Sequence, residues 1–214
     1  MHEVGISDGD AETGLRERKK ERTRRLIAST ALELFAERGY AHTTVADVAA
    51  AVEVSERTVF SYFPTKEDLL FSDQVELELG LVEALSARPI GTAALDVLRD
   101  FIVESLGERD ERERLRWRVV SGDDGLHAHL RARQVNLTGP IAAAIADELG
   151  EDVDDLRPQL VAAAVVAAIT ATYEHRYSAR SKAASRAQAV AVIDEAIAFL
   201  RGGLAAVRAY PKPY

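Results

Sequence analysis

No cysteine occurs in the 214 residues. This excludes a disulfide framework, a thiolate zinc site and a cysteine nucleophile. Long apolar runs are also missing. The longest, Leu160 to Ala171, has about twelve residues against the roughly 18 needed to cross a bilayer, and reads as a buried helix. The opening MHEVGISDGDAETG has no basic stretch followed by an apolar one, so a secretory signal is not expected. Residues 1–15 read as a polar, disordered leader. No membrane partner and a cytoplasmic location are the expectation. No stretch alternates with period two in β-branched residues, so no sheet is expected, and no fixed-period repeat is seen. Signatures of common enzymes are absent: H-E-x-x-H, G-x-S-x-G, the P-loop and G-x-G-x-x-G. The histidines (His2, His42, His127, His129, His175) are scattered. On a helix, His127 and His129 would point about 200° apart and could not share a metal. The carboxylates read as the solvated faces of amphipathic helices. No catalysis, no metal and no cofactor are expected.

What is present favours helix. Ala, Leu, Glu and Arg are abundant, and each has high helix propensity. The formal net charge of −8 is uneven. Residues 16–25, RERKKERTRR, carry seven basic and two acidic side chains, whereas Phe71 to Tyr214 carries 17 basic against 22 acidic. A polyanionic partner would have to dock at the basic cluster, because the rest of the surface repels phosphate. By itself the cluster is equally compatible with a solvated helix face.

The pattern predicts helices over about 18–38, seven residues from 45, 56–63, 65–87, 92–107, 110–121, 124–136, 139–149, 154–179 and 185–207. Ile27, Ala31, Leu34 and Phe35 recur at helical spacing, and Gly39 follows as a stop. Thr44 with Asp47 and Thr65 with Asp68 are capping boxes, and Ser55 is an N-cap between them. Val52 to Val54 form a tight turn. Pro64 ends the third helix. On a wheel of that helix Val59, Phe60 and Phe63 fall together, opposite Arg57, Thr58, Ser61 and Tyr62. The first three are expected to pack inward and the other four to face out. A short helix, a three-residue turn, a capped second helix and a basic flank make a helix-turn-helix. Arg can fork onto guanine, Thr can touch a thymine methyl, and Ser and Tyr can bond phosphates. Thr43, Thr44 and Lys66 sit by helix N-termini, which favour phosphate. The pattern points to double-stranded DNA. A helical adaptor without a DNA role is the alternative.

The segment ALELFAERGYAHTTVADVAAAVEVSERTVFSYFPTKEDLL resembles the N-terminal domain of the TetR family of transcriptional regulators. The resemblance rests on F-x-x-x-G-Y-x-x-T-T-V and V-S-x-x-T-V-F-x-Y-F-x-x-K-E-x-L. It implies an all-α chain with an N-terminal three-helix DNA-binding domain over 16–64, a connecting helix over 65–87 and a helical ligand-binding and dimerisation domain over 88–214. It also implies a major-groove helix starting after Ser55, phosphate contacts from Thr44, Tyr62 and Lys66, and a homodimer on palindromic operators. Most such proteins are repressors released by a small ligand; a ligand-independent repressor or an activator is the alternative. The turn departs from the family pattern, with Glu53 where glycine is usual. If the backbone there needs φ > 0, Glu53 is strained.

The remaining two thirds are less explicit. Candidate ligand contacts are Phe101, Ile102, Ser105, Trp117, Val120, Leu130, Arg133, Gln134, Leu137, Thr170, Tyr173 and Glu174. For Trp117 the alternative is a core residue. For Thr170, Tyr173, Glu174 and Tyr177 it is a surface helix end. The segment ERERLRWRVVSGDDGLHAHLRARQVNLTGPIAAAIADELG resembles family members with acyl-CoA-like ligands. That would bring Arg131, Arg133 and Gln134 to a phosphate or thioester headgroup. The Ala- and Val-rich helix around 160–171, with the last helix, is a candidate two-fold interface through Val161, Val165, Ala168, Ile193, Ala196, Ile197 and Leu200. An intramolecular core is the other reading.

Overall fold

The computed structural model describes residues 8–106, 110–177 and 185–210. Ten helices follow in chain order: α1 Asp8–Arg38, α2 Val45–Ala51, α3 Glu56–Tyr62, α4 Lys66–Ser86, α5 Ala94–Ser105, α6 Asp110–Val120, α7 Asp124–Val135, α8 Thr138–Leu149, α9 Leu156–Tyr177 and α10 Arg186–Ala209. No strand occurs among the described residues. The chain divides into two compact units within α4, between Ser72 and Asp73, inside the expected connecting helix. The expected helix ends at Gly107 and Ala179, and leader residues 1–7, lie outside the described residues.

α1 starts at Asp8 rather than near Arg18. Residues 8–15, read from sequence as disordered, are helical here. The Arg18 Nε–H donates to the Gly14 carbonyl at 3.0 Å, which ties this part of the helix to the next turn. Further on, Ile27, Ala31, Leu34 and Phe35 are buried as their spacing requires. Gly39 takes φ 88 after the last turn, where a Cβ would be strained. Both capping boxes form. Thr44 accepts from Asp47 N–H, and the Asp47 carboxylate accepts from Thr44 N–H at 2.7 Å. Thr65 and Asp68 repeat the arrangement at 2.9 and 3.1 Å. The Thr44 hydroxyl and backbone N–H hold the Asp47 carboxyl below the usual carboxylate range.

Glu53 has φ 55, the one non-glycine positive φ among the described residues. It reverses the chain between α2 and α3, where the Val54 N–H reaches the Ala49 carbonyl at 2.9 Å. An L-residue in this left-handed region costs ~1–2 kcal/mol. Glycine removes that cost but loses ~0.5–1 kcal/mol of chain entropy. Glu53→Gly is therefore expected to stabilise the first unit by about 0.5–1 kcal/mol, read as a higher urea midpoint at unchanged slope.

In the second unit α9 packs on α8, α10, α7 and α6, and α10 packs on α5 as well. Leu95, Leu98, Ile141, Ile145, Val161, Val165, Ile193 and Ile197 share one core. α9 has 22 residues and is long and apolar enough by composition to cross a bilayer. Val161, Ala162, Val165 and Val166 on one of its faces are nevertheless buried in the protein core. The helix expected to be buried is therefore buried along one face only, with Leu160, Ala163, Ala164, Ala167 and Ala171 exposed on the other.

Candidate nucleic-acid interface and ligand cavity

The first unit holds a compact helix-turn-helix. α2 packs on α1 and on α3. Ser55 caps α3 by accepting from Thr58 N–H at 3.1 Å. Val59 and Phe63 anchor α3, fully or nearly fully buried. Phe60 differs from the expectation: it is 46% exposed. It lies at the edge of the apolar arc, and two residues one turn apart suffice to seat so short a helix. The wheel could not tell an edge position from a buried one. Arg57 and Ser61 are exposed, and Thr58 and Tyr62 are half-buried. The outward face of α3 thus includes Arg57, Ser61 and, unforeseen, Phe60.

Two candidate phosphate ligands turn inward. Thr43 is fully buried, and its hydroxyl lies 3.0 Å from the Gly39 carbonyl and 3.3 Å from that of Leu34. It locks the loop after α1 rather than facing solvent. Lys66 is half-buried; its Nζ donates to the Tyr40 carbonyl and sits 4.1 Å from the Tyr40 ring centroid. The Tyr40 hydroxyl in turn donates to Glu67 at 2.8 Å. Lys66 therefore ties the first turn of α4 to the α1–α2 loop. Thr44 and Ser55 are exposed, with hydroxyls engaged in their caps. Along α1, Arg16, Arg18, Lys19, Lys20, Arg22 and Arg25 are exposed. They leave an extended cationic flank.

The second unit holds a partly open cavity of about 590 Å³, within the roughly 300–1,000 Å³ usual for small-molecule sites. Phe101, Ile102, Ser105, Leu130, Gln134, Leu137 and Tyr173 line it, as expected. Trp117, Val120, Arg133, Thr170 and Glu174 are not on its wall. Trp117 and Val120 are buried core residues. Arg133 is paired with Glu78 at 2.9 Å and Glu174 with Arg131 at 3.0 Å. Thr170 bonds Gln134 at 2.9 Å. The sequence reading missed the α4 wall, Gln74, Leu77, Glu78 and Leu81, and Glu113 of α6. The i, i+4 spacing of Leu77, Leu81 and Leu85 was the available signal. Gly80 brings α4 against Phe101, whose ring a Cβ would meet at 3.2 Å.

The expected dimer residues are largely interior. Val161, Val165, Ile193, Ile197 and Leu200 are buried, and Ala168, Ile193, Ala196, Ile197 and Leu200 line the cavity. Each helix has two apolar faces, and periodicity does not say which one turns inward. The other faces are exposed: Leu156, Leu160, Ala163, Ala164, Ala167 and Ala171 on α9, and Phe199, Gly202, Gly203 and Ala206 on α10. No atom lies within 4 Å of a Cβ built at Gly202 or Gly203.

A buried polar cluster borders the cavity. Arg116, 2% exposed, pairs with Glu113 and with Asp73, the latter at 3.1 Å. The Tyr173 hydroxyl donates to the other Glu113 oxygen. Gln74 Nε2 donates to the Tyr173 oxygen at 3.4 Å. Burial alone would lower the guanidinium pKa of Arg116, but the charges of Glu113 and Asp73 outweigh it and raise it above the ordinary range. Burial, then the Glu113 charge, pushes Tyr173 well up, so it stays a phenol. Desolvation raises the Glu78 carboxyl against the pull of Arg133. Among the described residues no three metal-ligating side chains converge.

Residues 27–72 match the family described as bacterial regulatory proteins, tetR family, and residues 91–205 match the MftR C-terminal domain. The transcriptional regulator TcmR of Streptomyces glaucescens is 35% identical over 160 residues, covering 70% of this chain and 71% of that protein. The chain belongs to the TetR family of transcriptional regulators. It is an all-α, DNA-binding regulator with an N-terminal helix-turn-helix and a helical C-terminal unit. Solved TetR-family folds agree. GusR of Salmonella enterica superposes with a TM-score of 0.55 at 20% identity, covering 86% of this chain and 96% of that one. FadR of Thermus thermophilus, a TetR-family repressor in complex with lauroyl-CoA, gives 0.53 at 21% identity, covering 84% and 94%. At such identities the likeness is one of fold.

Proposed function

We propose that this regulator is a homodimeric repressor of palindromic operators, released when a small molecule fills the second-unit cavity. The observation that carries the reading is one chain holding both an outward-facing α3 and a partly open, mostly apolar cavity of about 590 Å³. Arg57, Thr58, Ser61 and Tyr62, with Phe60 beside them, read the major groove. Exposed Phe60 suits a thymine methyl. The α1 cations neutralise phosphates outside the groove, and a DNA partner puts the protein in the cytoplasm. Lys66 acts by fixing the loop that carries Tyr40, and Thr44 reaches phosphate through its helix start.

Two reader helices must lie about 34 Å apart, or a multiple of it, to enter successive grooves on one side. The exposed faces of α9 and α10 supply the two-fold contact. Glycine in a helix interior costs ~0.5–1 kcal/mol relative to alanine. Gly202 and Gly203 are explained by the close approach of a partner helix, with Phe199 (76% exposed) as its anchor. A ligand that binds better to the form unable to span two grooves shifts the population away from DNA.

The test uses the full chain and duplexes from its own upstream region. The wild type is expected to be a dimer by light scattering. Its DNA affinity should fall steeply with salt, with a slope of several units. Phe199→Asp places two charges against the two-fold axis and should raise the dimer dissociation constant on the order of a hundredfold, taking operator affinity with it. A Phe199→Asp protein that stays dimeric and binds as before would remove this interface from the account.

An acyl-CoA-like effector is a second reading. The apolar wall suits an acyl chain, and the lauroyl-CoA complex of FadR supports it by analogy. The arginines available for its phosphates, Arg131 and Arg133, are already paired with Glu174 and Glu78.

A further inference from the structure

We infer that the cavity's ligand is an uncharged molecule with a hydroxyl group on a large apolar body, seated with its O–H donating to the side-chain oxygen of Gln74. This rests on the effector reading above and names the ligand class for that site.

The argument starts from a count of hydrogens. Tyr173 has one hydroxyl hydrogen, and Glu113 takes it. Toward Gln74 the Tyr173 oxygen can then only accept. The Gln74 amide must face it with its nitrogen, as observed at 3.4 Å. That orientation leaves Gln74 Oε1 pointing elsewhere. Gln74 is 8% exposed and lines the cavity. Its Oε1 has no hydrogen-bond partner among the described residues. An orphaned acceptor at this depth is costly, and a ligand that donates to it removes the cost.

Charge balance narrows the class. The two carboxylates on the wall, Glu113 and Glu78, are matched one to one by Arg116 and Arg133. The Arg176 guanidinium bonds the Tyr177 hydroxyl at 3.3 Å and stacks on its ring, and His175 also has a partner. An anion entering beside Gln74 meets two carboxylates and an acceptor oxygen. A cation has no carboxylate left without its arginine. Beside Gln74 either charge would lack a counter-ion, which buried charges need. An uncharged donor satisfies Gln74 and disturbs no pair. The rest of the wall, including Leu81, Leu98, Phe101, Ile102, Leu137 and Ile197, takes an apolar body.

Titration calorimetry on the full-length protein tests this with two skeletons, each carrying different end groups. The probes are 1-decanol, decanoate and decylammonium, then 2-naphthol and 2-naphthoate, with lauroyl-CoA beside them. The expected result is that at least one hydroxyl compound binds on the order of tenfold or more tighter than its charged counterparts. Gln74→Leu should lower that affinity about tenfold while leaving the melting temperature at or above that of the wild type. Gln74→Met is the second variant should leucine pack poorly. Tighter binding of a carboxylate, an ammonium or lauroyl-CoA than of both hydroxyl compounds overturns the inference. So does undiminished hydroxyl binding in both variants, or no binding of either hydroxyl compound. Operator binding is followed in the same samples. Hydroxyl selectivity with operator affinity indifferent to the compound would sink the effector reading and leave the cavity chemistry standing. A release of operator by lauroyl-CoA alone would do the reverse.

Discussion

Arg116→Ala is expected to cost about 3–5 kcal/mol of stability. The side chain is 2% exposed. Removing it leaves the Glu113 carboxylate, itself nearly buried, without its cation, and strips Asp73 of its 3.1 Å partner. Arg112, at 3.6 Å from Asp73 and half-exposed, compensates only weakly. Calorimetry should show the transition about 10 °C lower or more. Arg116→Lys should recover little, because an ammonium cannot fork between two carboxylates. Arg116→Met combined with Glu113→Leu should recover more than half of the loss, because the orphaned charge goes with its partner. A loss below about 1 kcal/mol for Arg116→Ala would mean that water reaches the cluster, and the charge balance argued for the cavity would go with it.

Arg57→Ala should act on DNA and leave the fold alone. Arg57 is exposed on α3, so truncation should move stability by no more than about 0.5 kcal/mol. A bidentate arginine–guanine contact is worth ~1–3 kcal/mol, and a dimer makes it twice. Operator affinity is therefore expected to fall about a hundredfold or more, with relaxed preference at one base pair in each half-site. Lys19→Ala with Lys20→Ala on the α1 flank should behave differently. They should weaken all sequences alike and reduce the salt slope. Fluorescence anisotropy on the operator and a scrambled duplex separates the two patterns. Unchanged operator affinity in Arg57→Ala would show that another surface reads the sequence.

The helix-turn-helix was legible because its signals are local. Thr44 with Asp47, Ser55 and Thr65 with Asp68 each announce a helix start within four residues, and the structure forms all three. Thr43 was misread for the same reason: its neighbour Thr44 carries the cap, while Thr43 spends its hydroxyl on carbonyls across the α1 stop. Glu53 stands where the family pattern has glycine, and its φ of 55 shows the strain expected there. The cavity was only half legible. Phe101 and Ile102 lie on one apolar stripe of their helix, and Tyr173 is one of the polar residues that interrupt the apolar helix before it ends. The α4 wall was not legible, because an apolar stripe says that a face is covered without saying by what. Ile193, Ile197 and Leu200 illustrate the limit. Their spacing suits a dimer contact, yet they line the cavity, while Phe199, one residue from Leu200, is exposed. The cluster of Asp73, Glu113, Arg116 and Tyr173 joins three helices across long separations in sequence. Only the i, i+3 pair Glu113–Arg116 could have been read from spacing.

Trp117, the single tryptophan, stands edge-on to Tyr173 at 5.8 Å between centroids and to His127 at 5.2 Å. Tyr173 touches the cavity and Trp117 does not. The indole is thus a native optical probe placed one ring behind the wall. Its emission is expected to shift when a molecule docks on Tyr173, without quenching by direct collision. Occupancy can be followed by light in the unmodified protein, with no label to perturb the space being measured.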